Sequence, residues 1–227
     1  MAGQLQQAPA AATPARAYDR WFQTPWGRYA FALERAALQQ AAGPLQGRLV
    51  VDVGCGTGRF TQALQQQGAR TVGVDLDPGM LTVAAERAAG PWLVADAARL
   101  PFGDQAFDLA VAVTVLEFVA DPGRVLAELA RVTRPGGRVV VACLNWASPW
   151  GLFHRRRLRR PPWRRARFLT RRQLRALGGA HGRARRHGVL YAPGPFPGLA
   201  RIGPLLEAAG LPLAPLGAFQ ILVIDRR

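Results

Sequence analysis

The sequence predicts an α/β fold: a doubly wound, mostly parallel sheet with helices packed on both faces. Three observations carry that expectation. Short apolar runs alternate with helix-length segments from residue 49 onward. Those runs are apolar at consecutive positions, the pattern of strands buried on both faces. The 227 residues are 49% hydrophobic and 19% charged, with mean hydropathy +0.01, enough apolar material for a sizeable core. A wholly disordered chain is excluded by the same figures.

Taken in order, the first strand is Leu49-Val50-Val51-Asp52-Val53, which stops at a glycine loop, and residues 60–67 follow as a helix. A second strand spans 71–75 and a helix 78–89. A third strand, 92–95, ends in Asp96. The fourth and fifth strands are expected at 107–114 and 138–144. Between them, residues 124–132 carry apolar positions at helical spacing, and Pro135-Gly136-Gly137 marks a stop. Two further strand-like runs, 188–192 and 219–225, complete seven. There is no internal repeat and no second domain boundary.

Charge is distributed unevenly. Lys+Arg number 30 against 14 Asp+Glu, a formal net charge of +16, and every one of those cations is Arg. Residues 1–150 are nearly neutral, whereas 151–200 hold fourteen arginines and no acid. The chain therefore reads as a near-neutral domain with one cationic segment, not a whole-surface polycation. Residues 1–16, rich in Ala, Gln and Pro, read as a disordered tail and not a signal peptide. No apolar stretch approaches the roughly 20 residues that span a bilayer. Cys55 and Cys143 are too few for a disulfide framework, and no Cys/His cluster suggests a metal site. A cytoplasmic, reducing setting is expected.

The strongest motif is Asp52-Val53-Gly54-Cys55-Gly56-Thr57-Gly58. Three glycines at spacing two, just after a strand, let the backbone turn tightly and approach a ligand where a Cβ would collide. A dinucleotide loop needs a third glycine at 59 or 61, where Arg59 and Thr61 stand. Asp52, just before the loop, would repel a pyrophosphate and tolerate a cationic ligand such as a sulfonium. Asp75 closes the second strand, where a carboxylate can accept hydrogen bonds from two ribose hydroxyls. Asp96 can take a hydrogen bond from an exocyclic adenine amine, with Leu76 and Met80 sandwiching the base. Cys55 contributes its backbone more than its thiol.

Residues 48–144 resemble the cofactor half of class I S-adenosylmethionine-dependent methyltransferases, of the small-molecule type that includes quinone-biosynthesis C-methyltransferases. VVDVGCGTGRF resembles their first motif and GVDLDPGML their ribose-binding segment. VADAARLPFGDQAFDLAVAVTVLEFVADP is similar to the adenine-binding segment and fourth motif, and LAELARVTRPGGRVVVA to the helix and strand that follow. The resemblance implies a Rossmann-like sheet whose seventh strand is antiparallel, S-adenosylmethionine as cofactor, and binding by Asp52, Gly54, Cys55, Gly56, Gly58, Asp75, Leu76, Met80, Asp96, Ala97 and Thr114. It also implies one domain over 17–227, with an N-terminal lid at 17–47 and a basic cap insertion at 145–186. By the same similarity, Tyr18 and Arg28 of the lid would touch the methionine carboxylate; an aromatic staple packing the first helix on the sheet is the alternative.

The implied reaction is in-line attack on the sulfonium methyl group, for which alignment alone can supply about 7–11 kcal/mol. No catalytic triad is needed. If a base is used, Glu117, His154 and Tyr18 are the candidates, although related enzymes often carry His where this chain has Glu117. The cationic stretch 155–186 has three readings: a solvated cap helix, an anionic substrate or membrane surface, or RNA. The expected acceptor is a small or lipid-like molecule. An RNA methyltransferase, or a non-catalytic module that keeps the cofactor fold, stands as the alternative.

Overall fold

The computed structural model describes residues 13–154, 164, 166–210 and 216–227. Helices α1 (Pro14–Trp21) and α2 (Pro25–Ala42) precede β1 (Leu49–Val53). Then come α3 (Arg59–Gln65), β2 (Arg70–Asp75), α4 (Pro78–Arg87), β3 (Trp92–Val94), β4 (Phe107–Val113), α5 (Pro122–Val132) and β5 (Thr133–Leu144). The chain continues through α6 (Pro149–Phe153), α7 (Arg171–Gly179), β6 (Arg183–Val189), α8 (Leu199–Gly210) and β7 (Phe219–Asp225).

One short signature starts five of these helices. Thr13-Pro14, Thr24-Pro25, Asp77-Pro78, Asp121-Pro122 and Ser148-Pro149 each place an extended capping residue before proline, and each capping side chain accepts from a backbone N–H of the first turn. Proline costs nothing there, because its missing N–H has no intrahelical partner at that position, and its fixed φ suits the helix.

The seven strands form one sheet in the order β3-β2-β1-β4-β5-β7-β6. β1 pairs parallel with β2 and β4, β2 with β3, and β4 with β5, while β7 runs antiparallel to both β5 and β6. The expected sheet, seven strands with the last antiparallel, is the one found. Successive residues of a strand feed opposite layers. Val50, Leu109 and Ile221 join Ala30 and Leu38 of α2 on one face; Val51, Val139 and Ile224 join Leu126 and Leu129 of α5 on the other. Truncating a fully buried leucine such as Leu126 in such a core costs roughly 2–5 kcal/mol.

Four expectations are corrected. The tail drawn to residue 16 runs into α1: Thr13 caps that helix and Ala15 is buried, while residues 1–12 lie outside those described. Pro135-Gly136-Gly137 does not stop before β5 but sits inside it, where the register jumps between the Phe107–Thr133 and Leu109–Arg138 pairs and Gly136 takes φ 75°. The sixth strand is Arg183–Val189 and not 188–192, and it ends where Leu190 turns to φ 68°. It is an edge strand with both faces largely in solvent, so arginines suit it and apolar runs do not mark it.

The fourth correction concerns the segment 145–186 expected to form a cap. Its later part belongs to the sheet. Leu174 of α7 is buried in the same layer as α5, Gly178 lies flush against Leu222 of β7, and residues 183–186 are strand. The cationic stretch 155–163 and Arg165 lie outside the described residues. No helix among the described residues is long and apolar enough to cross a membrane.

Candidate functional site

The chain winds outward from β1 through β2 to β3 on one side and from β4 to β5 on the other. Ligands of open α/β sheets sit outside the carboxyl ends of the strands, where that order reverses. Here the reversal falls between β1 and β4. The parallel registers Val53–Val74, Val53–Ala112 and Asp75–Val94 bring four strand ends level. Along that edge, in spatial order, lie Asp96-Ala97, Asp75-Leu76, Gly54 with the glycine loop, and Thr114.

The loop is built from left-handed backbone: φ is 67° at Gly54, 54° at Gly56 and 75° at Gly58. The three glycines have different jobs. A side chain at Gly54 would enter the space of Val115, and one at Gly58, which caps α3, would press on Ala84 and Trp92 at 3.0 and 3.1 Å. Those two serve packing. At Gly56 an added Cβ would clash with nothing and would meet only Cε1 of Tyr18, at contact distance, 3.8 Å away. Cys55 donates its N–H to the Val74 carbonyl (2.9 Å) while its thiol is buried and pushed up by that burial, which leaves it a backbone role.

Asp75 ties the loop to β2. One carboxylate oxygen accepts from the Gly56 N–H (2.8 Å) and the other from the Asp77 N–H (3.0 Å). Burial raises its pKa, and these N–H groups counter part of the rise. Each oxygen keeps a lone pair for a ligand. Asp52 is enclosed and accepts from the Thr61 hydroxyl (2.6 Å); burial lifts it to about 6. It lends negative potential from behind the loop without facing a ligand directly. Leu76 is 69% exposed, an unusual state for leucine at a crevice edge, and Met80 is half-buried. Asp96 is exposed and accepts from the Ala98 N–H (2.8 Å). Thr114 adopts φ 53°, a costly conformation for a residue with a branched Cβ, and its N–H is held by the Ala142 carbonyl (2.8 Å).

Helix α1 is latched onto this edge by a charge cluster that sequence reading missed. Asp19 accepts from Arg59 Nε and Nη2 (2.8 and 2.9 Å), Arg87 Nη2 (2.7 Å) and the Thr57 hydroxyl (2.9 Å). Arg87 also donates to the Thr57 carbonyl at 2.8 Å. Burial pushes the Asp19 carboxyl up, but the hydrogen bonds from Arg59 and Thr57 and the charge of Arg87 outweigh it, leaving the group below its ordinary range. Its stabilisation is therefore complete above that range and lost as pH falls through the lowered value. Asp19→Ala should cost about 1.5–3 kcal/mol and should speed hydrogen exchange selectively in α1; uniform exchange rates would refute the latch.

The candidate bases fare differently. Tyr18 packs edge-on against Phe22, with its ring toward Gly56. Desolvation, then the charges of Glu34 and Asp75, push its phenol up, although the residue as a whole is 39% exposed. His154 places Nδ1 3.0 Å from the Trp150 carbonyl. It stacks on Trp150 and fills the space against Gly194. Glu117 is wholly enclosed: one oxygen accepts from the Leu144 N–H (2.6 Å), and the other has no partner among the described residues. Glu117 has no exposed surface and is held between the ends of β4 and β5. Arg28 donates to the Gln23 carbonyl in the turn between α1 and α2, and no described contact joins it to Tyr18 or the glycine loop.

A glycine cradle backed by carboxylates, at the reversal point of this strand order, defines the class I methyltransferase fold, and S-adenosylmethionine is the cofactor of that class. The family model described as a methyltransferase domain matches residues 51–141. The chain is 41% identical over 103 residues to malonyl-[acyl-carrier protein] O-methyltransferase of Serratia marcescens, covering 45% of this chain and 40% of that protein. It is 40% identical over 113 residues to demethylmenaquinone methyltransferase of Clavibacter sepedonicus, covering 48% and 46%. The match thus spans less than half the length of these relatives. A SAM-dependent methyltransferase structure from Thermotoga maritima superposes with a TM-score of 0.74 at 24% identity, over 94% of this chain and 96% of that one, a likeness of fold.

Proposed function

We propose that this chain transfers the methyl group of S-adenosylmethionine to a small or lipid-like acceptor. The observation that carries the reading is the left-handed glycine loop whose Gly56 N–H is bonded to the Asp75 carboxylate at 2.8 Å, with only the Tyr18 ring against the side-chain direction of Gly56. The residues fit that cofactor in charge as well as shape. Asp52 and Asp75 are acids raised by burial around one loop, an environment that favours a cationic sulfonium over a pyrophosphate. The matched relatives, one named for a malonyl group borne on an acyl-carrier protein and one for demethylmenaquinone, support an acceptor group that is small or lipid-like.

The bound cofactor supplies a methyl group already activated by its positive sulfur. The chain's own residues then bind and align. Asp75 accepts from the ribose hydroxyls; Asp96 accepts from the adenine amine; Leu76, Met80 and Ala97 flank the base. The backbone of Gly54, Cys55, Gly56 and Gly58 forms the floor, and Thr114 shapes the wall toward the acceptor. Tyr18 faces Gly56 from the α1 side. His154, at the end of α6, is the candidate base toward the acceptor.

Asp75→Ala removes a charged acceptor and also frees the Gly56 N–H. It should weaken S-adenosylmethionine binding by about 1.5–3 kcal/mol, read by calorimetry; an unchanged dissociation constant would mean the ribose lies elsewhere. Labelled methyl transfer into lipid, metabolite and RNA fractions of an extract tests the acceptor class. Label in lipid or metabolite supports the reading. Label confined to RNA, or cofactor binding with no transfer, overturns it.

A further inference from the structure

The connections after β5, after β6 and before β7 emerge at one corner of the sheet. The registers Leu144–Phe219 and Val189–Phe219 bring those three strand ends level at the carboxyl edge. α6 follows β5 there, and His154 at its end fills the space against Gly194, in the segment that leads to α8. Glu207 of α8 accepts from the Leu190 and Tyr191 N–H groups (2.9 and 2.8 Å), which holds that helix to the end of β6. All three connections leave large apolar side chains in solvent: Leu152 and Phe153 of α6, Ile202 and Leu205 of α8, and Leu216 before β7. Phe153 is 79% exposed and Leu205 68%. Single exposed apolar residues are ordinary on a protein surface, but five at one corner mark an interaction face.

The charge of this corner has one sign. The sequence holds no Asp or Glu between Glu128 and Glu207, whereas residues 151–200 carry fourteen arginines. The Glu207 carboxylate is engaged by the backbone of β6's end, as above. Arg201 of α8 is exposed, and so is Arg167, whose backbone N–H is bonded to the Glu117 carbonyl (2.6 Å) beside the end of β5. A cationic face with protruding Leu, Ile and Phe suits the boundary of an anionic bilayer, where apolar side chains enter the acyl region and guanidinium groups meet lipid phosphates. A second copy of the chain would set like charge against like. Single-stranded RNA is gripped by aromatic rings stacked on its bases, and four of the five side chains here are aliphatic.

We infer that this corner docks the protein on an anionic membrane surface. β5 lies next to β4, the strand at the reversal point, so docking brings the carboxyl edge of the sheet to the bilayer. Docking needs no cofactor, and it stands or falls apart from the methyl-transfer reading.

Flotation of the full chain with two kinds of vesicle, phosphatidylcholine alone and phosphatidylcholine mixed with phosphatidylglycerol, tests this without S-adenosylmethionine. Binding should be confined to the mixed vesicles at low salt and should weaken as salt rises. Phe153→Ser combined with Leu205→Ser should lower the partition coefficient on mixed vesicles by about tenfold or more. Both side chains are exposed, so the melting temperature of the variant should match the parent's, which separates lost docking from lost folding. If the double variant melts early, Phe153→Ser alone carries the test. A parent that ignores mixed vesicles overturns the inference, as does equal binding to both kinds. An unchanged partition coefficient for the variant overturns the placement at this corner. Self-association of the parent that the variant abolishes, or binding only to a single-stranded oligouridine, gives the face to another partner and overturns the inference too.

Discussion

Gly56→Val is expected to abolish S-adenosylmethionine binding while leaving the sheet intact. Gly56 is the glycine of the loop at which a Cβ clashes with nothing, its one neighbour being Tyr18 Cε1 at a contact distance of 3.8 Å. A branched side chain there projects into the space that the cofactor needs. Holding valine at φ 54° adds strain of about 1–3 kcal/mol. That is less than the roughly 5–15 kcal/mol by which a typical domain is stable, so a cooperative thermal transition should survive at lower temperature. Gly54 is the instructive contrast: Val115 already occupies its side-chain direction, so substitution there probes the fold instead of the site. Calorimetry and a melting curve on Gly56→Val decide the matter together. Retained affinity would show that the cofactor does not cross this loop.

What the amino-acid order made legible follows the range of the forces involved. β1, β2, β4 and β7 were readable because most residues on both faces of each are buried, leaving runs that are mainly apolar. The carboxylates Asp75 and Asp96 were readable because they end such runs. β6 was misplaced because an edge strand needs no apolar pattern, and Arg183, Arg185 and Arg186 suit its solvent faces. α1 was hidden by the Ala- and Pro-rich composition around it, although the Thr13-Pro14 pair repeats the start of α2 at Thr24-Pro25. The Asp19 latch was not legible at all, since its partners Arg59 and Arg87 lie 40 and 68 residues away and any aspartate can meet any arginine once the chain folds. Arg28 was assigned by similarity to a ligand, while its nearest acceptor proved to be its own turn. The burial of Glu34 in α2 gave no signal, because a single acid in a helical stripe reads as an ordinary exposed position until its neighbours are known.

Glu117→Gln is expected to change how stability depends on pH. Burial lifts the Glu117 carboxyl from 4.5 to about 7, eased in part by the Leu144 N–H and its own backbone. Below 4.5 the group is protonated in both folded and unfolded chains, and its contribution is fully present. Between 4.5 and 7 the unfolded chain releases the proton while the folded chain retains it, so stability falls as pH rises, by about 1.4 kcal/mol per unit. The accumulated loss is roughly 3 kcal/mol by pH 8, because the ionised group leaves a buried oxygen without a partner. Glutamine cannot titrate, and its amide oxygen can take over the Leu144 N–H. Asp52 and Glu34 slope the same way, so the informative quantity is the difference between parent and variant in denaturation midpoint at pH 5 and at pH 8.5. That difference should move by about 3 kcal/mol in favour of the variant; parallel profiles would mean that Glu117 is ionised in the folded chain. Methyl transfer separates two roles for the residue. A general base replaced by glutamine loses turnover at every pH, whereas a group that only positions the ends of β4 and β5 loses little turnover when its hydrogen bond to Leu144 is preserved.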